Sequence, residues 1–199
     1  MQKILLSSIF LLILNACSTT YPSITQYRIE SRQKSDLNLS QSCKKASLSV
    51  AQVFVPSSLM SKKMKYVVGK YQEFAYNESE WAESPNRAIT DEIVQKLESE
   101  AIFTSVESYK SFSRSDYTLE SRVDAFSQYF SKDEKSSFVK VAMTFSLIEN
   151  KTAKIVATKH IEKTRKTQSS DAVGGVDALN ETLSDVLAQM SEWISGSCL

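Results

Sequence analysis

Apolar residues along the chain alternate with polar ones in some stretches and recur every three or four residues in others. The first period predicts half-buried strands and the second predicts amphipathic helices. Alternation is clearest over residues 117–130, 138–148 and 153–161, which are separated by short polar turns. Three successive strands joined by short turns predict an antiparallel meander in the second half of the chain.

Shorter strands are predicted on the amino-terminal side of the meander. The β-branched run over residues 48–55 stops at Pro56, and residues 66–76 predict either a hairpin or two short strands. Apolar residues within 102–106 predict another strand. Apolar and polar residues also alternate over 27–29, which could add one short strand to the sheet.

Two segments carry the helical period. The first follows Ser84, a favourable N-cap residue, with Pro85 at the first helical position. The second covers residues 176–194 and fits the i, i+3, i+4, i+7 template without a gap. Gly196 stands where a C′ glycine is expected, and the pair Gly174-Gly175 is predicted to form a loop before this helix.

These elements predict one α+β domain, in which two amphipathic helices pack on one face of an antiparallel sheet. The apolar stripe of the last helix could instead face a membrane surface or a partner, but burial on the sheet is favoured. The folded domain is predicted to cover residues 42–199. The mostly polar residues 17–41 are predicted to serve mainly as a tether.

The amino terminus has the order of a secretory signal peptide over residues 1–16. Lys3 supplies a positive charge, an apolar run covers residues 4–14, and the small residue Ala16 precedes Cys17. An uncleaved transmembrane anchor is the alternative. It is disfavoured because the run is much shorter than the roughly 20 apolar residues that a membrane-spanning helix needs.

The segment Leu14-Asn15-Ala16-Cys17 resembles the lipobox of bacterial lipoproteins. The resemblance implies cleavage before Cys17, a diacylglycerol on its sulfur and a further acyl chain, such as palmitate, on the new amino terminus. Several acyl chains hold a protein to a membrane stably. Ser18 stands where the usual sorting rule places an aspartate for inner-membrane retention, so we expect an outer-membrane lipoprotein that faces the periplasm.

Two further cysteines, Cys43 and Cys198, would lie in an oxidising compartment after export. Pairs of this kind usually form disulfides, and this one would join the two ends of the predicted domain. The chain-entropy model gives such a long loop about 5 kcal/mol of stabilisation as an upper figure. A free thiol pair or a redox site is the alternative, but no CxxC spacing supports it.

Charge and motif content argue against catalysis and against nucleic-acid binding. Without residues 1–16, which contain the single charge of Lys3, basic and acidic residues balance at 23 each. His160 is the only histidine, so neither a histidine-rich metal site nor a Cys-His dyad can be assembled. No GxSxG, Walker A or GxGxxG motif occurs. We therefore expect no enzymatic activity, no metal and no cofactor.

The order of motifs in the chain resembles a family of transport proteins. A strand at Leu48 to Pro56 precedes a tyrosine-bearing hairpin at Tyr66 to Tyr76, and Trp81-Ala82-Glu83 then opens a helix. An Asp-Tyr-x-Leu strand follows at Asp116 to Leu119, before the meander and the last helix. This order resembles the auxiliary lipoprotein component of ABC-type lipid transport systems, the paraquat-inducible protein C family. The resemblance covers roughly residues 14–195.

The resemblance implies a non-catalytic outer-membrane component of an MCE-type ABC lipid transport system between the inner and outer membranes. The implied partners are a periplasmic MCE-domain protein, an ABC permease and its ATPase, and a homo-oligomer is possible. Trp81, with Tyr76 and Pro85 around it, is the candidate docking surface, although a core tryptophan at the helix start fits Trp81 equally well. Tyr66 and Tyr71 are weaker candidates.

Two other functions stay open from the sequence. A direct lipid carrier would hold an acyl chain in an apolar cavity between the sheet and the helices. A structural or envelope-assembly lipoprotein could use the same small fold, because a fold alone does not fix a function.

Overall fold

The computed structural model of the chain describes residues 22–32 and 39–198, so the predicted signal peptide and Cys17 lie outside the described residues. The described part forms an eight-stranded sheet and two α-helices. The strands are β1 (Thr25–Tyr27), β2 (Ser47–Val50), β3 (Lys63–Val68), β4 (Gln72–Trp81), β5 (Ser105–Ser108), β6 (Tyr117–Phe130), β7 (Ser137–Glu149) and β8 (Lys154–Lys166). The helices are α1 (Pro85–Ser99) and α2 (Ala172–Ser195), and a 3₁₀ turn covers Ser57–Leu59.

The antiparallel meander is confirmed and consists of β6, β7 and β8. β6 pairs with β7 from Tyr117–Glu149 to Phe130–Ser137, with a bulge between Val123 and Ala125. β7 also pairs antiparallel with β8 along most of its length, with a register shift between Leu147 and Ile148. These long strands form because apolar side chains at alternate positions face the core on one side of the sheet, while mainly polar side chains cover the other side.

The other edge of β6 carries parallel strands. β2 pairs with the start of β6, where Leu48 lies opposite Tyr117, and β3 pairs with its end, where Tyr66 lies opposite Gln128. Beyond them, β5 extends the sheet from β2, while β4 and then β1 extend it from β3. The α+β class and the single domain are confirmed, and the sheet that carries the two helices is mixed.

The two helices bury their apolar stripes as the periodicity predicts. α1 contacts β2 and β5, and Ile93 and Leu97 on its inner face are fully buried. α2 contacts β6, β7 and β8, and its Leu183 and Leu187 are fully buried. Full burial of such a side chain contributes about 1.5–3 kcal/mol, so these stripes hold both helices on the sheet.

Both ends of α2 differ from the sequence prediction. The helix already begins at Ala172, so the expected loop at Gly174-Gly175 is instead its first turn. Asp171 caps the helix, and its carboxylate accepts a hydrogen bond from Gly174 N at 2.8 Å. That bond and a second one from Ser169 hold the pKa of Asp171 below its usual value. Gly196 is the C-cap residue with φ −100°, so it does not adopt the left-handed C′ conformation.

The predicted disulfide joins Cys43 to Cys198, whose Cα atoms lie 5.2 Å apart across 155 residues of chain. Cys43 lies before β2 and is fully buried, and Cys198 follows α2. The bond therefore fixes the end of the last helix to the segment that enters the sheet.

The described part of the segment predicted as a tether packs against the domain. β1 confirms the short strand expected around Tyr27, and Ile29 is buried. Ser31 N donates to Glu92 Oε2 at 2.6 Å on α1, and Arg32 N donates to Ser184 Oγ at 2.7 Å on α2. The folded domain therefore begins before residue 42, because backbone N–H groups of this segment donate hydrogen bonds to side chains on both helices. Among the described residues, neither helix is long and apolar enough to cross a bilayer.

Candidate docking surface

Trp81 and Pro85 do not form the exposed surface that the sequence suggested. Trp81 is only 3% exposed, and its ring centre lies 5.8 Å from that of Phe126 on β6. Pro85, at the first position of α1, is also buried. The expectation of exposure is wrong for both residues. Trp81 is the last residue of β4, and its large ring packs inward against Phe126, close to the buried start of α1. Trp81 is therefore a core tryptophan at the start of the helix, which was the alternative interpretation.

Tyr76 is half-buried, and its polar end is used inside the protein. Its hydroxyl donates to Gln128 Oε1 at 2.8 Å, and its ring lies 4.6 Å from that of Tyr66. Burial raises the pKa of the Tyr76 hydroxyl far above its usual value, and the nearby Tyr66 and Asp171 add to this. The buried Gln128 also donates to Ser137 Oγ and to the Asp171 carbonyl. Tyr76 therefore belongs to a buried polar network that joins β4, β6, β7 and the start of α2.

A different surface is left open by the described part of the chain. α2 covers one side of the meander, and the opposite side of β6, β7 and β8 carries mainly exposed or half-exposed side chains. We call this surface the outer sheet face. Its members are Glu120, Arg122, Asp124, Tyr129, Phe138, Lys140, Thr144, Ser146, Thr158, His160, Glu162 and Thr164.

A polar network crosses all three strands at the centre of the outer sheet face. The strand register places Thr144 between Arg122 and His160. Asp124 accepts hydrogen bonds from Arg122 Nε at 2.7 Å and from Thr144 Oγ1 at 2.8 Å. Thr144 Oγ1 also lies 3.1 Å from His160 Nδ1, which is 3.5 Å from Asp124 Oδ2. The network fixes the position of four side chains that a partner could contact.

Asp124 is held in its charged form by its neighbours. Partial burial would raise the pKa of its carboxyl, but the hydrogen bonds from Arg122 and Thr144 and the positive charge of Arg122 outweigh this effect. The pKa of Asp124 therefore lies below its usual range. The centre of the outer sheet face thus presents a fixed negative charge next to a fixed positive one.

One end of the outer sheet face is aromatic. The rings of Tyr129 and Phe138 stack with their centres 5.2 Å apart and an angle of 12° between their planes. Phe138 is exposed, and beside it Lys140 forms an ion pair with Glu162 at 3.2 Å. Aromatic side chains surrounded by polar and charged ones are typical of protein–protein interfaces. The composition of this surface therefore suits a protein partner.

The pattern of residues along the chain did not predict this surface, and His160 stood out only as the single histidine. The polar side chains of this surface occupy alternate positions of the predicted strands, which is the signal for a solvent-facing side. Which residues lie next to one another depends on the strand register, and two bulges shift that register within the meander. A prediction from the sequence could have named the alternation but not the network.

The space between the sheet and the helices is filled by side chains. Met143 and Phe145 on β7 are fully buried, as are Leu187 and Met190 on α2. An open groove of about 880 Å³ lies at the disulfide end of the domain. Most of the residues that line it are polar or charged, among them Lys45, Arg114, Asp116, Asn150 and Lys151. Among the described residues, no group of three or more His, Cys, Asp or Glu side chains is placed to hold a metal ion.

Comparisons with known proteins agree with this architecture. A family model described as the ABC-type transport auxiliary lipoprotein component matches residues 27–191. A Xanthomonas campestris protein of the DUF330 family is 20% identical, with a TM-score of 0.77 over 86% of this chain and 96% of its own. An uncharacterized protein is also 20% identical, with a TM-score of 0.62 over 87% of this chain and 97% of its own. At these identities the two structures show a shared fold only. No curated protein sequence matches the chain.

Proposed function

Because the chain belongs to the family of ABC-type transport auxiliary lipoprotein components, we propose that it is a non-catalytic docking component of a system that moves lipid between the inner and outer membranes. In this proposal Cys17 carries the lipid anchor, the anchor lies in the outer membrane and the domain faces the periplasm. The partner is an MCE-domain protein that works with an ABC permease and its ATPase.

The observation that carries the docking role is the outer sheet face, which neither of the described helices covers. Its central network joins Arg122, Asp124, Thr144 and His160 across three strands. These side chains already have fixed positions, so binding a partner would cost less side-chain entropy than ordering free ones. Charges of both signs on this face would select the register of a partner.

The interior of the domain supports docking over carriage of an acyl chain. Side chains such as Phe145 and Leu187 occupy the space between the sheet and the helices. Opening a cavity there would forfeit close packing, and residual cavity volume costs about 24 cal/mol per Å³. A surface that guides or positions the transport protein requires no such cavity.

The test is photo-cross-linking in intact cells. A benzoylphenylalanine replaces Thr144 at the centre of the outer sheet face, or Glu98 on the exposed side of α1 as the matched control. We expect the probe at Thr144 to capture an MCE-domain protein, identified by mass spectrometry, and the probe at Glu98 to capture none.

Two results would contradict the proposal. Equal capture of the MCE-domain protein from both positions would show that the outer sheet face is not the docking surface. Capture of envelope-assembly proteins alone at Thr144 would replace the transport role with the structural one.

A further inference from the structure

The hairpin between β3 and β4 ends in exposed aromatic side chains. Tyr71 is 83% exposed and Phe74 is 46% exposed. Lys70 Nζ lies 5.1 Å from the centre of the Tyr71 ring. We call Lys70, Tyr71 and Phe74 the hairpin tip. A cluster of exposed apolar rings at the end of a structural element often marks a surface that something else covers.

The hairpin tip is attached rigidly to the sheet. Gly69 turns the chain with φ 62°, a conformation that favours glycine, and its N–H donates to the Phe130 carbonyl at 3.1 Å. The ring of Tyr66 packs against Phe74 at 5.7 Å and against Phe130 at 5.2 Å. The turn and Phe74 are therefore held in place at one end of the domain, and the exposed Tyr71 projects from there.

The lipid anchor and the hairpin tip can reach the same plane. β1 runs parallel to β4, with Thr25 opposite Ser79. The hairpin tip lies at the start of β4, so the amino-terminal end of β1 points towards the tip. Cys17 precedes Thr25 by as many residues as Tyr71 precedes Ser79. An extended chain spans at most about 3.6 Å per residue, which is slightly more than the rise of a strand. The length of chain before β1 is therefore sufficient for Cys17 to lie level with the tip.

We infer that the hairpin tip contacts the surface of the bilayer that holds the lipid on Cys17. Tyr71 suits the headgroup region because its ring is apolar and its hydroxyl is polar, and Phe74 supplies further apolar area. The inference rests on the lipid anchor of the proposed function. Two attachments, the lipid and the tip, fix the orientation of the domain on the membrane, whereas a lipid alone leaves it free to rotate.

The contact depends on aromatic insertion and not on attraction to anionic lipid. The β6–β7 turn lies beside Gly69, since Lys132 is its nearest side-chain neighbour. Glu73 is paired with Lys65 at 2.6 Å. The tip and this turn otherwise carry Lys70, Lys132 and Lys135 against Asp133 and Glu134, a net charge of only +1. Binding should therefore persist at high salt, because screening removes only the electrostatic part.

The experiment uses the full-length lipidated protein in vesicles of phosphatidylethanolamine and phosphatidylglycerol whose acyl chains are brominated. Bromine quenches the fluorescence of a tryptophan that enters the bilayer. Tyr71→Trp places the probe at the tip, and Phe112→Trp is the matched control. Phe112 is fully exposed in the segment that leads into the start of β6, whereas the tip lies at the end of β6. The fluorescence of the native Trp81 and Trp193 is subtracted using the unsubstituted protein.

We expect Tyr71→Trp to lose most of its added fluorescence in brominated vesicles and to shift its emission to the blue, while Phe112→Trp changes in neither respect. Vesicle association without quenching of Tyr71→Trp would overturn the membrane contact and leave the anchor in place. Failure of the protein to associate with vesicles would overturn both the anchor and the contact. Quenching at the tip together with no cross-link from Thr144 would retain the contact and reject the docking role.

Discussion

At the scale of single residues, the position of a tryptophan in its element decides what it does. Trp81 ends β4 and is buried against Phe126, whereas Trp193 lies near the end of α2 and is only partly buried. The two side chains are chemically identical, so their environments account for any difference between them. Trp81 therefore supports the core and is not available to a partner.

This difference predicts the effect of two matched substitutions. Trp81→Ala should lower the free energy of unfolding by about 3–5 kcal/mol, because it removes a large buried ring and leaves a cavity. Trp193→Ala should cost clearly less, because its ring is partly exposed already. Urea denaturation followed by circular dichroism measures both values. A well-folded Trp81→Ala protein with unchanged stability would contradict the assignment of Trp81 to the core.

At the scale of elements, a close approach joins the start of α2 to β6. A Cβ atom at Gly175 would overlap Gln128 Oε1, the atom that accepts the hydrogen bond of Tyr76. Glycine is therefore required at this helical position, although it is unfavourable in helices by about 1 kcal/mol relative to alanine. The contact places α2 directly on the buried polar network.

Gly175→Ala tests this contact against an open glycine. Helix propensity alone would make the substitution stabilising, but overpacking against Gln128 should destabilise the domain by about 1–3 kcal/mol. Gly196→Ala is the control, because its Cβ would have Ser40 Cβ as nearest neighbour at 3.9 Å and its φ is −100°. We expect that variant to match the parent protein in thermal unfolding. Stabilisation by Gly175→Ala would show that α2 does not approach β6 this closely.

At the scale of the whole molecule, the covalent link between Cys43 and Cys198 closes the domain. The described parts of the chain between these residues include β2 to β8 and both helices. Cross-linking such a long loop restricts the unfolded state more than the folded one. The disulfide therefore stabilises the fold as a unit and not one local element.

Replacing both cysteines by serine should lower the free energy of unfolding, with about 5 kcal/mol as the upper figure. The measurement is urea denaturation of the parent and the double variant, each with and without a thiol reductant. We expect the reductant to shift the midpoint of the parent only, since the variant has no Cys43–Cys198 bond to reduce. An equal midpoint for the oxidised parent and the variant would mean that the bond contributes nothing to stability.

The sequence by itself determined the local structure and the pairing of Cys43 with Cys198. Apolar periodicity is a property of neighbouring residues, so it identified α1, α2 and the meander of β6 to β8. Two thiols remained once Cys17 was set aside, so the disulfide could also be predicted.

Only the tertiary structure decided how these elements meet. Parallel pairing of β2 and β3 with β6 joins residues distant in sequence, and periodicity contains no information about such partners. The same holds for Trp81, whose burial depends on the packing of β4 against β6, and for the network of Asp124, which depends on the register of three strands. Side-chain period is set locally, whereas register and burial are set by contacts across the whole chain.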